Sequence, residues 1–242
     1  MSIIAALAVQ MADAPAPSLT FDQTVVALSP WAYWKLEETT PASGAAAPDA
    51  SGNARNGTYE GSAANGAGVF AARPRSAALR GSTQIRTPGL RITADVGQSG
   101  FLSVNLVDAT GIKMLISADE SGARRWQLRH NGSALEFVGI MPSVFTVTAP
   151  AVFTVGQPAM VGFVYDPSLA AADGRLKLYV NGSVVAQSTT AVTLTPIAAT
   201  FGWIGARSGN DYLMGNVNSA MLFNKAISAA EVAAMWTARD RP

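Results

Sequence analysis

Two Asn-Gly pairs, Asn131-Gly132 and Asn181-Gly182, each stand between short runs in which apolar and polar residues alternate, and this pattern constrains the fold most. Both central residues of a type I′ turn need positive φ, which Asn and Gly tolerate, so each pair folds its flanks into an antiparallel hairpin. In the first, Arg124 to His130 returns through Ser133 to Gly139. A two-residue turn at Asn131-Gly132 sets Leu128 opposite Leu135 and Trp126 opposite Phe137, with Arg125, Gln127 and Glu136 on the other face. In the second, Arg175 to Val180 returns through Val184 and Val185. Leu176, Leu178 and Val185 then share one side, and Arg175, Lys177 and Tyr179 the other.

Further strands are predicted at Ala32 to Glu38, Thr83 to Thr87, Phe101 to Val107, Ile112 to Ser117, Ala159 to Asp166, Phe201 to Ala206 and Met214 to Asn224. The helical signal lies at the C-terminus, where Ser228 as N-cap and Glu231 form a capping box ahead of Val232, Ala233, Met235 and Trp236. Many short strands with one late helix predict an all-β antiparallel sandwich, because a parallel sheet needs helices between its strands.

Composition bounds the function. With 17 Lys+Arg against 16 Asp+Glu, the chain has no surplus of positive charge to neutralise phosphates or anionic head groups, so neither nucleic acid nor membrane is an expected partner. The absence of Cys removes disulfides, thiolate metal sites, Cys nucleophiles and iron-sulfur clusters; a single His, His130, removes any His-rich metal site. No linker, repeat or charge block divides the chain after residue 20, so residues 21–242 are expected to form one domain, with long loops among the small residues of 40 to 80. Residues 1–20 read as a separate arm: the apolar run Ile3 to Val9 is too short to span a bilayer and has no Lys or Arg before it, and Pro15 and Pro17 resist helix and central strand. An export signal is the competing reading of the same run.

Several segments resemble a known family. Tyr33-Trp34-Lys35-Leu36-Glu37-Glu38, Asp49-Ala50-Ser51-Gly52-Asn53 and Asn56-Gly57-Thr58-Tyr59 are similar to the opening of laminin G-like, concanavalin A-like jelly-roll modules. Leu178-Tyr179-Val180-Asn181-Gly182, Trp203-Ile204-Gly205-Ala206, Gly215-Asn216-Val217-Asn218 and Asn224 to Val232 continue the resemblance in the family's order, from about residue 30 to 236. The resemblance implies a jelly-roll sandwich with one short C-terminal helix. The family often has an acidic residue where Asn218 stands, so a role for that carboxylate is not carried over.

Family members include lectins, adhesive modules and glycosidases, so chemistry must be read from the residues. Members similar to glucanases carry carboxylates spaced E-x-D-x-E on one strand, which alternation aims to one face. No two of the sixteen acids here are two residues apart, and the adjacent pairs Glu37-Glu38 and Asp119-Glu120 cannot share a strand face. His130 could serve a Ser-His-Asp constellation, but no strand-to-helix nucleophile elbow accompanies it, and a place at a strand end on the sandwich rim accounts for it. Asp49 with Asn53, or Asn210 with Asp211, resemble rim calcium ligands, yet Asp and Asn beside Gly are ordinary turn residues. Asn56, Asn131 and Asn181 head sequons that turn chemistry also explains. The chain is therefore expected to be non-enzymatic, with no metal ligand and no cofactor.

The expected function is structural or binding. The resemblance implies a bacteriophage virion component, such as a tail, fibre or capsid-decorating protein, with a secreted bacterial carbohydrate-binding module or a glycoside hydrolase as alternatives. Its expected partners are other virion proteins or copies of itself, met through the N-terminal arm, and a cell-surface glycan. Sugars present apolar faces and hydroxyl rims, which points to a loop carrying aromatic and polar side chains together: Arg207, Asn210, Asp211 and Tyr212. The five tryptophans, Trp31, Trp34, Trp126, Trp203 and Trp236, are assigned to the core.

Overall fold

The computed structural model describes residues 18–89, 96–120, 123–132, 134–139, 144–151, 154–190, 192–194, 201–207 and 210–241. The arm's apolar run and its prolines lie outside these residues.

Two antiparallel sheets stack as a sandwich. The strands of the first are β1 (Ala32–Trp34), β4 (Ala64–Ala67), β5 (Arg75–Leu79), β7 (Gln98–Leu106), β12 (Ala159–Tyr165), β13 (Leu176–Val180), β14 (Ser183–Gln187) and β16 (Gly215–Phe223). Their order is β14-β13-β12-β7-β16-β5-β4. The free side of β16 pairs with β5 along Gly215 to Val217 and then with β1 along Ala220 to Leu222. A bulge at Asn218 and Ser219 separates the two stretches, with Ser219 at φ 72° and its N–H donating to the Lys35 carbonyl. The second sheet holds β2 (Ala46–Ala47), β3 (Gly57–Glu60), β6 (Gln84–Pro88), β8 (Ile112–Glu120), β9 (Ala123–Asn131), β10 (Ala134–Gly139), β11 (Phe145–Ala149) and β15 (Phe201–Ile204). Its order is β11-β10-β9-β8-β15-β6-β3-β2.

The main core lies between the sheets and includes Trp34, Tyr59, Ile85, Leu102, Trp126, Leu128, Phe137 and Phe163. Three of its rings make one cluster, with Phe163 centred 4.8 Å from Phe137 and 5.0 Å from Trp126. Strands β7 and β12 interlock through glycine. Gly100 pairs with Phe163 and Phe101 with Gly162. A Cβ on Gly162 would stand 2.3 Å from the Phe101 ring, and one on Gly100 would stand 2.7 Å from that of Phe163. Each ring thus occupies the space its partner's missing side chain leaves.

The first sheet is apolar on its outer face as well, which explains why every residue of β12 is buried. Helices α1 (Phe21–Ala27) and α2 (Ala229–Ala238) cover that face, enclosing a second core of Phe21, Val25, Tyr33, Phe101, Tyr179, Met221, Val232 and Met235. The C-terminal helix begins as expected, with the Ser228 and Glu231 capping box formed in both directions. Helix α1 was not expected, although Thr20 and Gln23 make the same reciprocal box. An ion cluster fastens it: Asp22 meets Lys35, Arg73 and the Tyr33 hydroxyl, and Arg73 reaches Glu37 at 2.9 Å. Burial opposes ionisation of Asp22, but the bonds from Lys35, Tyr33 and Arg73 outweigh it and hold the carboxyl at about 2. Among the described residues no helix is long and apolar enough to cross a membrane.

The hairpin at Asn181-Gly182 forms as expected, with φ of 51° and 84° and Val180 opposite Ser183. The hairpin at Asn131 corrects its expected register. Asn131 pairs with Ala134, which sets Leu128 opposite Phe137 and His130 opposite Leu135. Gly132 takes positive φ while Asn131 does not, so the reversal sits one residue later than the type I′ placement. Cross-strand partners move by two, and a two-residue shift leaves every side chain on its own face. His130 stands one residue from the end of β9 beside the turn, as expected, and is 1% exposed; burial lowers its pKa and nearby Lys113 lowers it further.

Candidate binding surface

Arg207 and residues 210–212 lie in the chain between β15 and β16. Arg207 and Asn210 exchange backbone hydrogen bonds at 2.9 and 3.0 Å, and Asp211 and Tyr212 follow them in the chain. Asp211 adopts φ 53°, and its carbonyl accepts from the N–H of Met114 at 2.8 Å, tying the turn to β8. Arg207 Nη1 lies 2.9 Å from Asp211 Oδ2, so the two charges answer each other. Asn210 is exposed, and Tyr212 is half-buried.

A second polar surface is the outer face of the second sheet. Register aligns Thr58, Arg86, Trp203, Ser117 and Gln127 across five strands on that face. Phe201 lies two residues before Trp203, on the same side, and its ring is 42% exposed. The Arg86 guanidinium sits 5.1 Å from the centre of that ring. Asn56, Thr58, Arg86, Pro88 and Phe201 line a cleft of about 350 Å³ here. Two described carboxylates on this face are engaged: Glu60 with Gln84 at 2.7 Å and Arg86 at 3.2 Å, and Glu136 with Arg129 at 2.8 Å. Of the five tryptophans assigned to the core, Trp34 and Trp126 are 1% exposed and Trp31 and Trp236 are half-buried and packed on the two cores, while Trp203 departs, lying half-buried on this outer face. The spacing Phe201-Gly202-Trp203-Ile204 carried the signal, because alternation puts both aromatic rings opposite the core-facing Ile204.

Asp49 serves its own chain. Its Oδ1 accepts from the N–H groups of Tyr33 and Ser51, both at 2.9 Å, and its Oδ2 accepts from Ser51 Oγ at 2.8 Å and the Arg55 N–H at 2.9 Å. Burial raises the carboxyl's pKa, but these four bonds overcome that and leave it lowered. The Asn56 and Asn181 amide oxygens likewise accept backbone bonds, from Asp49 N–H at 2.9 Å and from Met160 N–H on β12 at 3.0 Å. Asn218 is buried in the first sheet, with Nδ2 donating to the Arg75 carbonyl at 3.4 Å. Among the described residues no group of three or more His, Cys, Asp or Glu side chains could hold a metal ion.

A family model for the concanavalin A-like lectin/glucanases superfamily, Laminin_G_3, matches residues 81–233. No curated protein matches the sequence. Among solved structures, domain 4 of AbnA, a GH43 extracellular arabinanase from Geobacillus stearothermophilus solved with arabinotriose, is similar with a TM-score of 0.63 at 16% identity. That match covers 84% of this chain and 96% of the domain. The binding domain of botulinum neurotoxin DC in complex with SialylT gives a TM-score of 0.67 at 10% identity, over 89% of this chain and 53% of that one. A Trypanosoma rangeli sialidase gives 0.60 at 13%, over 88% and 33%. The chain thus spans about half of the toxin domain and a third of the sialidase. Identities this low carry the fold and nothing finer.

Proposed function

The chain belongs to the concanavalin A-like lectin/glucanase superfamily, and from that premise we propose that it is a non-enzymatic module that binds glycan on the outer face of its second sheet. The observation that carries this reading is Phe201: an exposed ring standing beside a cleft lined by an amide, a hydroxyl and a guanidinium. A sugar ring stacks its apolar face on an aromatic surface and spends its hydroxyls on such polar neighbours. Glu60 and Glu136, two described carboxylates on this face, are engaged by cations and amides, so neither stands free for the acid or nucleophile role that hydrolysis needs. Asn210 and Tyr212 are a proposed rim contact for a longer ligand.

Titration with a panel of neutral oligosaccharides, arabinotriose among them, followed by tryptophan fluorescence tests the reading. At least one should bind, Phe201→Ala should weaken it about tenfold, and prolonged incubation should release no reducing ends. Failure of the whole panel, or release of product, would refute it.

The proposed setting is a bacteriophage particle, where residues 1–20 would dock on another virion protein or a second copy. Support comes from the YWKLEE and DASGN segments, similar to those of modules in phage structural proteins, and from a cysteine-free chain. Removal of residues 1–17, which spares the Thr20 cap, should leave a folded domain that no longer enters its assembly. Mass spectrometry showing the first sixteen or so residues missing from the native protein would point to secretion instead.

A further inference from the structure

On another part of the surface, the chain just after α1, the DASGN turn and the end of β16 enclose a cleft of about 430 Å³. Val26, Pro30 and the half-buried Trp31 form its apolar part, and Arg55 and Lys225 bring two positive charges. Neither Asp nor Glu lines it. Asn224, Ser29 and Ser51 add amide and hydroxyl groups.

The cations are held in place by buried structure. Arg55 is gripped along its backbone, its N–H donating to Asp49 and its carbonyl accepting from the Trp34 indole at 2.8 Å. Its guanidinium stacks 4.4 Å from the centre of the Trp31 ring and donates to the Trp31 carbonyl at 2.7 Å. Opposite it, the buried Ser99 hydroxyl donates to the Lys225 carbonyl at 2.9 Å and accepts from the Ile227 N–H at 3.1 Å, fixing the backbone that presents Lys225. Lys225 is only loosely compensated, its Nζ standing 3.8 Å from Glu231.

We propose that this cleft binds an acidic sugar residue, with the sugar's carboxylate between Arg55 and Lys225 and its ring against Val26 and Pro30. A planar guanidinium held on the Trp31 ring matches a carboxylate through paired N–H donors, while Val26 and Pro30 offer the apolar wall that a sugar ring needs. The site and its ligand class are separate from the neutral-glycan face around Phe201, so either proposal can fail without the other.

The test uses methyl glucuronide against methyl glucoside, followed by NMR shifts of the Trp31 indole N–H, assigned with Trp31→Phe. The glucuronide should bind and the glucoside should not. Lys225→Gln, at a side chain 44% exposed and away from the backbone clamp, should weaken glucuronide binding about fivefold with no change in melting temperature, and Lys225→Arg should restore it. Phe201→Ala should leave this binding unchanged. Equal affinity for the two sugars, no binding of either, an unaffected Lys225→Gln variant, or inorganic phosphate competing at the same concentration as the glucuronide would each overturn the proposal.

Discussion

Replacing Asp49 with Ala would remove the acceptor from four donors at once: the N–H groups of Tyr33, Ser51 and Arg55, and the Ser51 hydroxyl. Tyr33 is fully buried, so its N–H would be left without a partner at a cost of about 1–3 kcal/mol. Ser51 and Arg55 are half-buried and can take water in exchange, at about 0.5 kcal/mol each. The expected loss is therefore about 3 kcal/mol, read as a lower urea midpoint with an unchanged slope. Asp49→Asn separates the contributions. One amide oxygen can still serve Tyr33 and Ser51, but an amide nitrogen would then face the Arg55 N–H, donor against donor. That variant should lose about half as much stability, and it should weaken glucuronide binding because the grip on Arg55 is gone. A loss below about 1 kcal/mol for Asp49→Ala would refute the role assigned to this carboxylate.

Gly182 stands at φ 84°, and a Cβ there would lie 2.8 Å from the Trp236 Cβ, so Gly182→Ala should lower the melting temperature by about 5–10 °C and the β-branched Gly182→Val by more; an unchanged melt in either would remove the clash. The Asp22 carboxyl, lowered from 3.8 to about 2, gives stability that is whole above pH 3.8 and lost as pH falls toward 2. Screening at a side chain 33% exposed reduces that contribution to about 1 kcal/mol, and Asp22→Asn should flatten the corresponding part of an acid titration followed by circular dichroism.

Local chemistry made parts of this molecule readable from its residues. The Ser228 box and the Asn181-Gly182 turn are decided by neighbours in the chain, and both took the form their residues dictate. Hairpin register at Asn131 was harder, because Gly132 can open a reversal as readily as it can close one and the hydrophobic alternation survives either choice. Helix α1 is hard to read from sequence because its seven residues show too short an apolar pattern, although Thr20 and Gln23 carry the capping-box signal. The outer aromatic face was hidden by a general expectation about tryptophan, which cannot tell one face of a sheet from the other. The cationic cleft had no local signature at all: Trp31, Arg55 and Lys225 meet only because β1, the DASGN turn and β16 converge in space.

The reciprocal seating of Phe101 on Gly162 and of Phe163 on Gly100 has an evolutionary corollary. Neither member of a pair can change alone: a side chain at the glycine displaces a ring, and a smaller residue at the ring opens a void that glycine cannot fill. Homologues should therefore exchange these positions in pairs, so that strong covariation between 100 and 163, and between 101 and 162, marks the descendants of one ancestral strand pair even where overall identity has faded.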